Sequence, residues 1–189
     1  MDVVGRLLPR WVGLAVLFWA ARASAIEATL VADAHVNSAR RTANSGTISN
    51  LNVGGGYTSL LQFDLSTLPA GTTSSQISRA VLRLYCNRAD TPGLVSVQPV
   101  SAGWGEYSVN YSTLPTLNAA IQVLSVNEGD AYVSVDLTAL VQGWVNGSTA
   151  NYGVALTAGC AAVQFDSKEN DLTGHAPTLD IVLTSPGSV

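Results

Sequence analysis

Six carboxylates stand where a glycan-cleaving site could use them: Asp33, Asp64, Glu106, Asp136, Asp166 and Glu169 all fall at the ends of expected strands. A glycosidase needs two facing carboxyl groups, one protonated and one ionised. Nothing in the spacing makes any two of these acids face each other, and short acids at strand ends serve equally as turn bonds and caps. Asp33, Asp166 and Glu169 are the acids expected to hold a calcium ion, because a hard cation gathers carboxylate, carbonyl and water oxygens. No EF-hand loop accompanies them, and they are as readily solvated surface acids. His35 and His175 are too far apart for a metal motif, and neither a serine elbow nor a His-Glu-x-x-His segment occurs. No enzyme is expected from these residues, and no cofactor is required.

Holding a sugar needs other tools. An aromatic ring stacks on the apolar face of a pyranose, and an arginine fork matches a carboxylate or sulfate in two-point contact. Tyr57 follows a triple-glycine turn, where exposure is expected. Arg40 and Arg41 lie in the loop after the first strand, Arg88 ends the strongest strand, and Lys168 sits in the late loop Asp166-Ser-Lys-Glu-Asn170. Arg40, Arg41, Tyr57, Arg88 and Lys168 are therefore the candidate ligand-binding residues. Each basic residue taken alone serves equally as a solvated charge or a guard on a strand edge. Trp104 and Trp144 sit in apolar patterns that assign them to the core.

The elements that must position these residues are short and evenly spaced. Strand patterns cover residues 27–36, 51–53, 59–65, 77–86, 94–100, 121–126, 132–136, 153–158, 162–165 and 178–183, separated by Gly, Pro, Asn and Ser turns. After Asp136 the period changes. Leu137, Leu140, Val141, Trp144 and Val145 share one helical stripe, with Asp136 or Thr138 as the cap and Gly147 as the stop. The pattern predicts an all-β fold, an antiparallel β-sandwich (jelly roll) with one short helix near 137–146.

Residues 1–25 read as a signal peptide. Arg6 and Arg10 precede an apolar run from Trp11 to Ala21, and Ala23-Ser24-Ala25 supplies a cleavage site. The run is too short for a comfortable membrane span, so secretion is expected, followed by one domain over 26–185 and a short tail, 186–189. No membrane anchor is expected there. Six of the nine basic residues lie beyond the leader, against every acid but Asp2. This acidic balance argues against a nucleic-acid partner, which needs surplus Lys and Arg. Cys86 and Cys160 both fall where alternation points inward, which leaves a disulfide and two separate buried thiols equally open. Oligomeric state leaves no mark on the pattern.

Several segments carry a family resemblance. Ala32-Asp-Ala-His-Val36, Leu61-Gln-Phe-Asp-Leu-Ser-Thr-Leu-Pro-Ala-Gly71 and Ala80-Val-Leu-Arg-Leu-Tyr85 resemble DNRLRE domains, also described as carbohydrate-binding module family 96. Trp104-Gly-Glu-Tyr-Ser-Val-Asn-Tyr111, Val135-Asp-Leu-Thr-Ala-Leu-Val-Gln-Gly-Trp144, Asn151-Tyr-Gly-Val-Ala-Leu156, Phe165-Asp-Ser-Lys-Glu169 and Ala176-Pro-Thr-Leu-Asp180 continue it in order. The resemblance implies a secreted, non-catalytic binding module with a polysaccharide partner, and some members bind alginate. It departs in two respects: the N-terminal loop of alginate-binding members is rich in lysine, whereas here Arg40 and Arg41 occupy it, and no attached catalytic domain is expected within this sequence. The alternatives are a structural or adhesive protein of the matrix or cell surface and, less favoured, a small polysaccharide-degrading enzyme.

Overall fold

The computed structural model describes residues 25–184. The signal peptide (apart from Ala25) and the 186–189 tail lie outside the described residues. Ten strands form in the order β1 (Ala25–Asn37), β2 (Asn50–Val53), β3 (Tyr57–Asp64), β4 (Ile77–Thr91), β5 (Gly93–Pro99), β6 (Gln122–Val126), β7 (Ala131–Asp136), β8 (Val154–Thr157), β9 (Ala162–Asp166) and β10 (Thr178–Leu183). One helix, α1 (Thr138–Asn146), lies between β7 and β8. All the pairings between strands are antiparallel, as expected for an all-β sandwich.

The strands make two layers that share β1. Its first half pairs with β10, Ala25 to Ala28 against Val182 to Leu179, while Thr29 to Asn37 pairs with β3. A register shift between Leu30 and Ala32 marks the change of partner, a bulge that bends the strand from one layer into the other. One layer runs β2-β9-β4-β10-β1 and the other β1-β3-β8-β5-β6. β7 takes the second edge of β4, since Arg83 meets both Thr178 of β10 and Ser134 of β7.

Alternation in β4 sends Ala80, Leu82, Leu84 and Cys86 inward, where they pack with Phe63, Phe165, Leu179 and Ile181 between the layers. Each large aliphatic side chain buried there contributes about 1.5–3 kcal/mol. The second layer is covered on its outer face too. Leu60 and Ala155 turn away from the main core to join Ala34, Val36, Val100 and Val109, under Trp104, Tyr111 and Tyr152 of the surrounding loops. That double burial explains why Leu60-Leu61 and Val154-Ala155-Leu156 break clean alternation.

Helix α1 forms and ends where its sequence suggests, but its N-cap position is Leu137, which makes no side-chain cap bond; Asp136 acts from one residue earlier. The Thr138 amide donates to Asp136 Oδ1 at 2.8 Å, and Thr138 Oγ1 accepts from the Ala80 amide at 2.9 Å, tying the helix start to β4. Leu140, Val141 and Trp144 are buried, and Gly147 ends the helix in the left-handed region (φ 74°). A disulfide, by contrast, is not formed: both cysteines are free, Cys86 buried and Cys160 exposed. Cys86 is the register partner of Phe165, whereas Cys160 lies in the β8–β9 turn beyond Ala162, the partner of Thr91. The ladder therefore separates them by about five residues, or roughly 16 Å, far beyond the reach of a bridge. The inward alternation of β8 ends at Thr157 and does not carry on to Cys160.

Candidate binding cleft and buried carboxylate cluster

The end of β1, the loop 38–49 and the β2–β3 hairpin enclose a cleft of about 250 Å³. The hairpin closes through Gly54 and Tyr57, whose amides and carbonyls exchange hydrogen bonds at 3.1 Å, leaving Gly55-Gly56 as a two-residue turn. Such a turn needs positive φ, and φ is 61° at Gly55 and 92° at Gly56. Gly54 is also sterically required, because a Cβ there would lie 1.7 Å from the Ala161 carbonyl oxygen. The hairpin thereby delivers the Tyr57 ring to the cleft opposite Asn37, its register partner on β1.

Period two on β1 brings His35 to the same place. Its imidazole lies edge-on to Tyr57 with ring centres 5.3 Å apart. Nδ1 is 3.0 Å from the Asn50 carbonyl oxygen and so carries the hydrogen; Nε2 faces the Asn52 Nδ2 donor at 3.5 Å. The Asn52 amide is itself oriented by Gln164, which donates to its Oδ1 at 2.9 Å. Burial lowers the His35 pKa, partly offset by the Asn50 carbonyl. Arg40 supplies the cleft's cation, and among the described residues it makes no ion pair. Asn44 lines the opposite wall; its Nδ2 donates at 2.7 Å to both the Glu106 and Val109 carbonyls, which pins the 38–49 loop to the 100–121 loop. No carboxylate lines this cleft among the described residues.

Of the five candidate ligand residues, the structure brings only Arg40 and Tyr57 together. Arg41 turns away and lies over the Tyr111 ring, 4.9 Å from its centre. Arg88 is exposed far along β4, where it pairs with Asp90 at 3.1 Å. Lys168 is engaged in ion pairs with Glu106 (2.5 Å) and Glu169. His35, Asn37, Asn44 and Asn52 join the cleft without having stood out among the candidates. The alternation of β1 was the available signal for His35 and Asn37; Asn44 and Asn52 gave none.

Beneath these loops lies a second polar site. Asp33, Glu106 and Glu169 each present an oxygen within 4.8 Å of the others. The Asp33 amide donates to Glu106 Oε1 at 2.9 Å, and the Lys168 amide donates to Asp33 Oδ2 at 2.8 Å. Burial first, and then the facing Glu169 carboxylate, push the Asp33 pKa up to about 7, against the lowering effect of the Lys168 amide. Burial alone would lower the Lys168 ammonium, but its hydrogen bonds to Glu106 and Glu169 outweigh that and hold it above its usual value. Asp166 stands apart from this group. Fully buried, it accepts from Asn87 Nδ2 (2.5 Å), Asn170 Nδ2 (2.9 Å) and the Thr173 hydroxyl, with His175 Nδ1 at 3.4 Å. Asp64 and Asp136 bind turn amides at Ser66 and Thr138. The three acids that do converge are packed around a lysine, with Asp33 and Glu106 buried.

A larger cleft of about 570 Å³ opens beside α1, lined by Pro99, Gln122, Asp136, Leu137 and Gln142 among others. It has neither a cation nor an aromatic ring, and its charge is that of Asp136. Comparison with known proteins supplies the frame for the smaller cleft. No curated protein matches the chain. The family model for carbohydrate-binding module family 96 matches residues 24–182. This span takes in every strand but the last residue of β10, together with both polar sites. The chain belongs to carbohydrate-binding module family 96.

Proposed function

We propose that this protein is a secreted, non-catalytic module that holds an acidic polysaccharide, alginate being the leading example, in the cleft between His35, Arg40 and Tyr57. The observation that carries the reading is a guanidinium without an ion pair beside an aromatic ring, in a cleft that no carboxylate lines. Arg40 offers a two-point donor to a uronate carboxylate. Tyr57 gives a face on which a pyranose packs, and the Asn37 and Asn44 side chains offer amide groups to ring hydroxyls. At about 250 Å³ the cleft takes one or two sugar residues rather than a long stretch of chain.

Nothing at the cleft makes or breaks bonds. Hydrolysis would need two carboxyl groups flanking the sugar, and the cleft's titratable side chains are His35, Arg40 and Tyr57. Secretion is part of the same proposal and rests on the leader-like residues 1–25. The test is affinity electrophoresis and calorimetry against alginate, pectin and neutral glucans, with wild type, Arg40→Ala and Tyr57→Ala. Binding to the uronates that falls at least tenfold in both variants supports the reading. Equal binding of all variants, or of neutral and acidic glycans alike, overturns it.

A further inference from the structure

The cluster beneath the loops is not electrically closed. Asp33, Glu106 and Glu169 face a single ammonium, Lys168, which leaves a formal charge of two negatives in a mostly buried place. Lys168 Nζ spends its contacts on Oε1 of Glu106 and Oε1 of Glu169. Asp33 Oδ1 and Glu169 Oε2 are both buried and meet no hydrogen-bond donor. Asp33 is 1 % exposed, so bulk solvent does not reach that oxygen. Buried polar atoms are normally satisfied, and those that are not point to a missing partner.

We propose that Asp33, Glu106 and Glu169 form a binding site for a divalent cation of the calcium class, with Asp33 Oδ1 and Glu169 Oε2 among its ligands. Calcium lies 2.3–2.6 Å from its oxygens, so two ligand atoms on one ion stand up to about 5 Å apart. The 4.8 Å limit on the carboxylate spacing meets that condition. The charge fits as well: two positive charges and Lys168 together neutralise three carboxylates, whereas one shared proton leaves a negative charge uncompensated. Lys168 sits on Oε1 of Glu106 and Oε1 of Glu169, which leaves Asp33 Oδ1 and Glu169 Oε2 without a cation. Glu169, whose side chain is 23 % exposed, opens the site to solvent and to the waters that complete the coordination.

The rival partner is a proton shared between Asp33 and Glu169, in keeping with the raised Asp33 carboxyl. The two differ in what they do to the fold. Asp33 is on β1, Glu106 in the 100–121 loop and Glu169 in the 167–177 loop, so an ion joins three segments that a proton joins only in part. The inference does not depend on the glycan reading, since none of the three acids lines the cleft.

The experiment uses chelated, dialysed protein titrated with calcium chloride by calorimetry and followed by thermal melting, with magnesium as a second arm. The expected result is one calcium per chain, a melting temperature that rises with calcium and returns on adding EDTA, and a weaker response to magnesium. Asp33→Asn should abolish the calcium response, and Glu169→Gln, on the exposed rim, should weaken binding at least tenfold while keeping the wild-type circular dichroism. Absence of both heat and melting shift in the wild type overturns the proposal in favour of the shared proton. So does a calcium response that persists undiminished in both variants.

Discussion

At the scale of single residues, the proposed binding rests on Arg40, which makes no ion pair among the described residues, while every other cation considered is occupied. Arg88→Ala should therefore leave polysaccharide binding unchanged, because Arg88 is already paired with Asp90 on a distant part of β4. Loss of the Arg40 fork should cost about 1.5–3 kcal/mol of binding, the usual worth of a charged hydrogen bond. His35 gives the cleft a pH signature. Its folded pKa lies below 6.5, so the stability it contributes is complete above pH 6.5 and is lost as pH falls below that value. In the calcium-free protein Asp33 works in the opposite sense, since burial raises its carboxyl to about 7 and favours the fold as pH falls below that value. An NMR titration of the His35 ring separates the two, and a midpoint at or above 6.5 would contradict the burial described for it. Legibility at this scale was uneven. Arg40 and Tyr57 were visible because residue type and a glycine turn sufficed to mark them. The true fate of Lys168 was not, because only three-dimensional convergence sets Glu106 beside it. The same convergence replaced Asp166 with Glu106 in the acidic group.

At the scale of elements, the strands and the helix are legible to within about two residues, since alternation, turn glycines and the change of period after Asp136 are local properties. The exception is β4, which runs on to Thr91, five residues past Cys86. What was illegible is pairing. Nothing in β1 announces that it serves two layers, and the bulge at Leu30–Ala32 appears only with both partners in place. Cys160 departs from its expected inward position for a related reason: β8 stops at Thr157, three residues short of it. Two substitutions test the elements. Thr138→Val removes the acceptor of the Ala80 amide and should destabilise the protein by about 1–2 kcal/mol, measured by urea denaturation. Gly54→Ala forces a Cβ against the Ala161 carbonyl at φ 81° and should cost more, on the order of 3 kcal/mol. A Gly54→Ala protein that melts like the wild type would mean the hairpin is not held as described.

At the scale of the whole molecule, two free thiols in different settings predict a simple chemical fingerprint. Native alkylation should label one cysteine, Cys160, and denaturation should release the second, while reductant should leave the melting temperature unchanged. Two labels without denaturant, or a reductant-sensitive melt, would contradict the arrangement. The placing of β10 has a kinetic consequence. The last strand among the described residues, β10, lies between β1 and β4, with residues 25 and 182 as partners, so neither neighbour has its final edge until about 160 residues after β1 begins. Closing a sheet over such a sequence distance is slow, in the millisecond-to-second range for β-rich domains. A nascent chain therefore leaves this domain unlocked until β10 has been made, and its compaction follows synthesis of that strand rather than accompanying it.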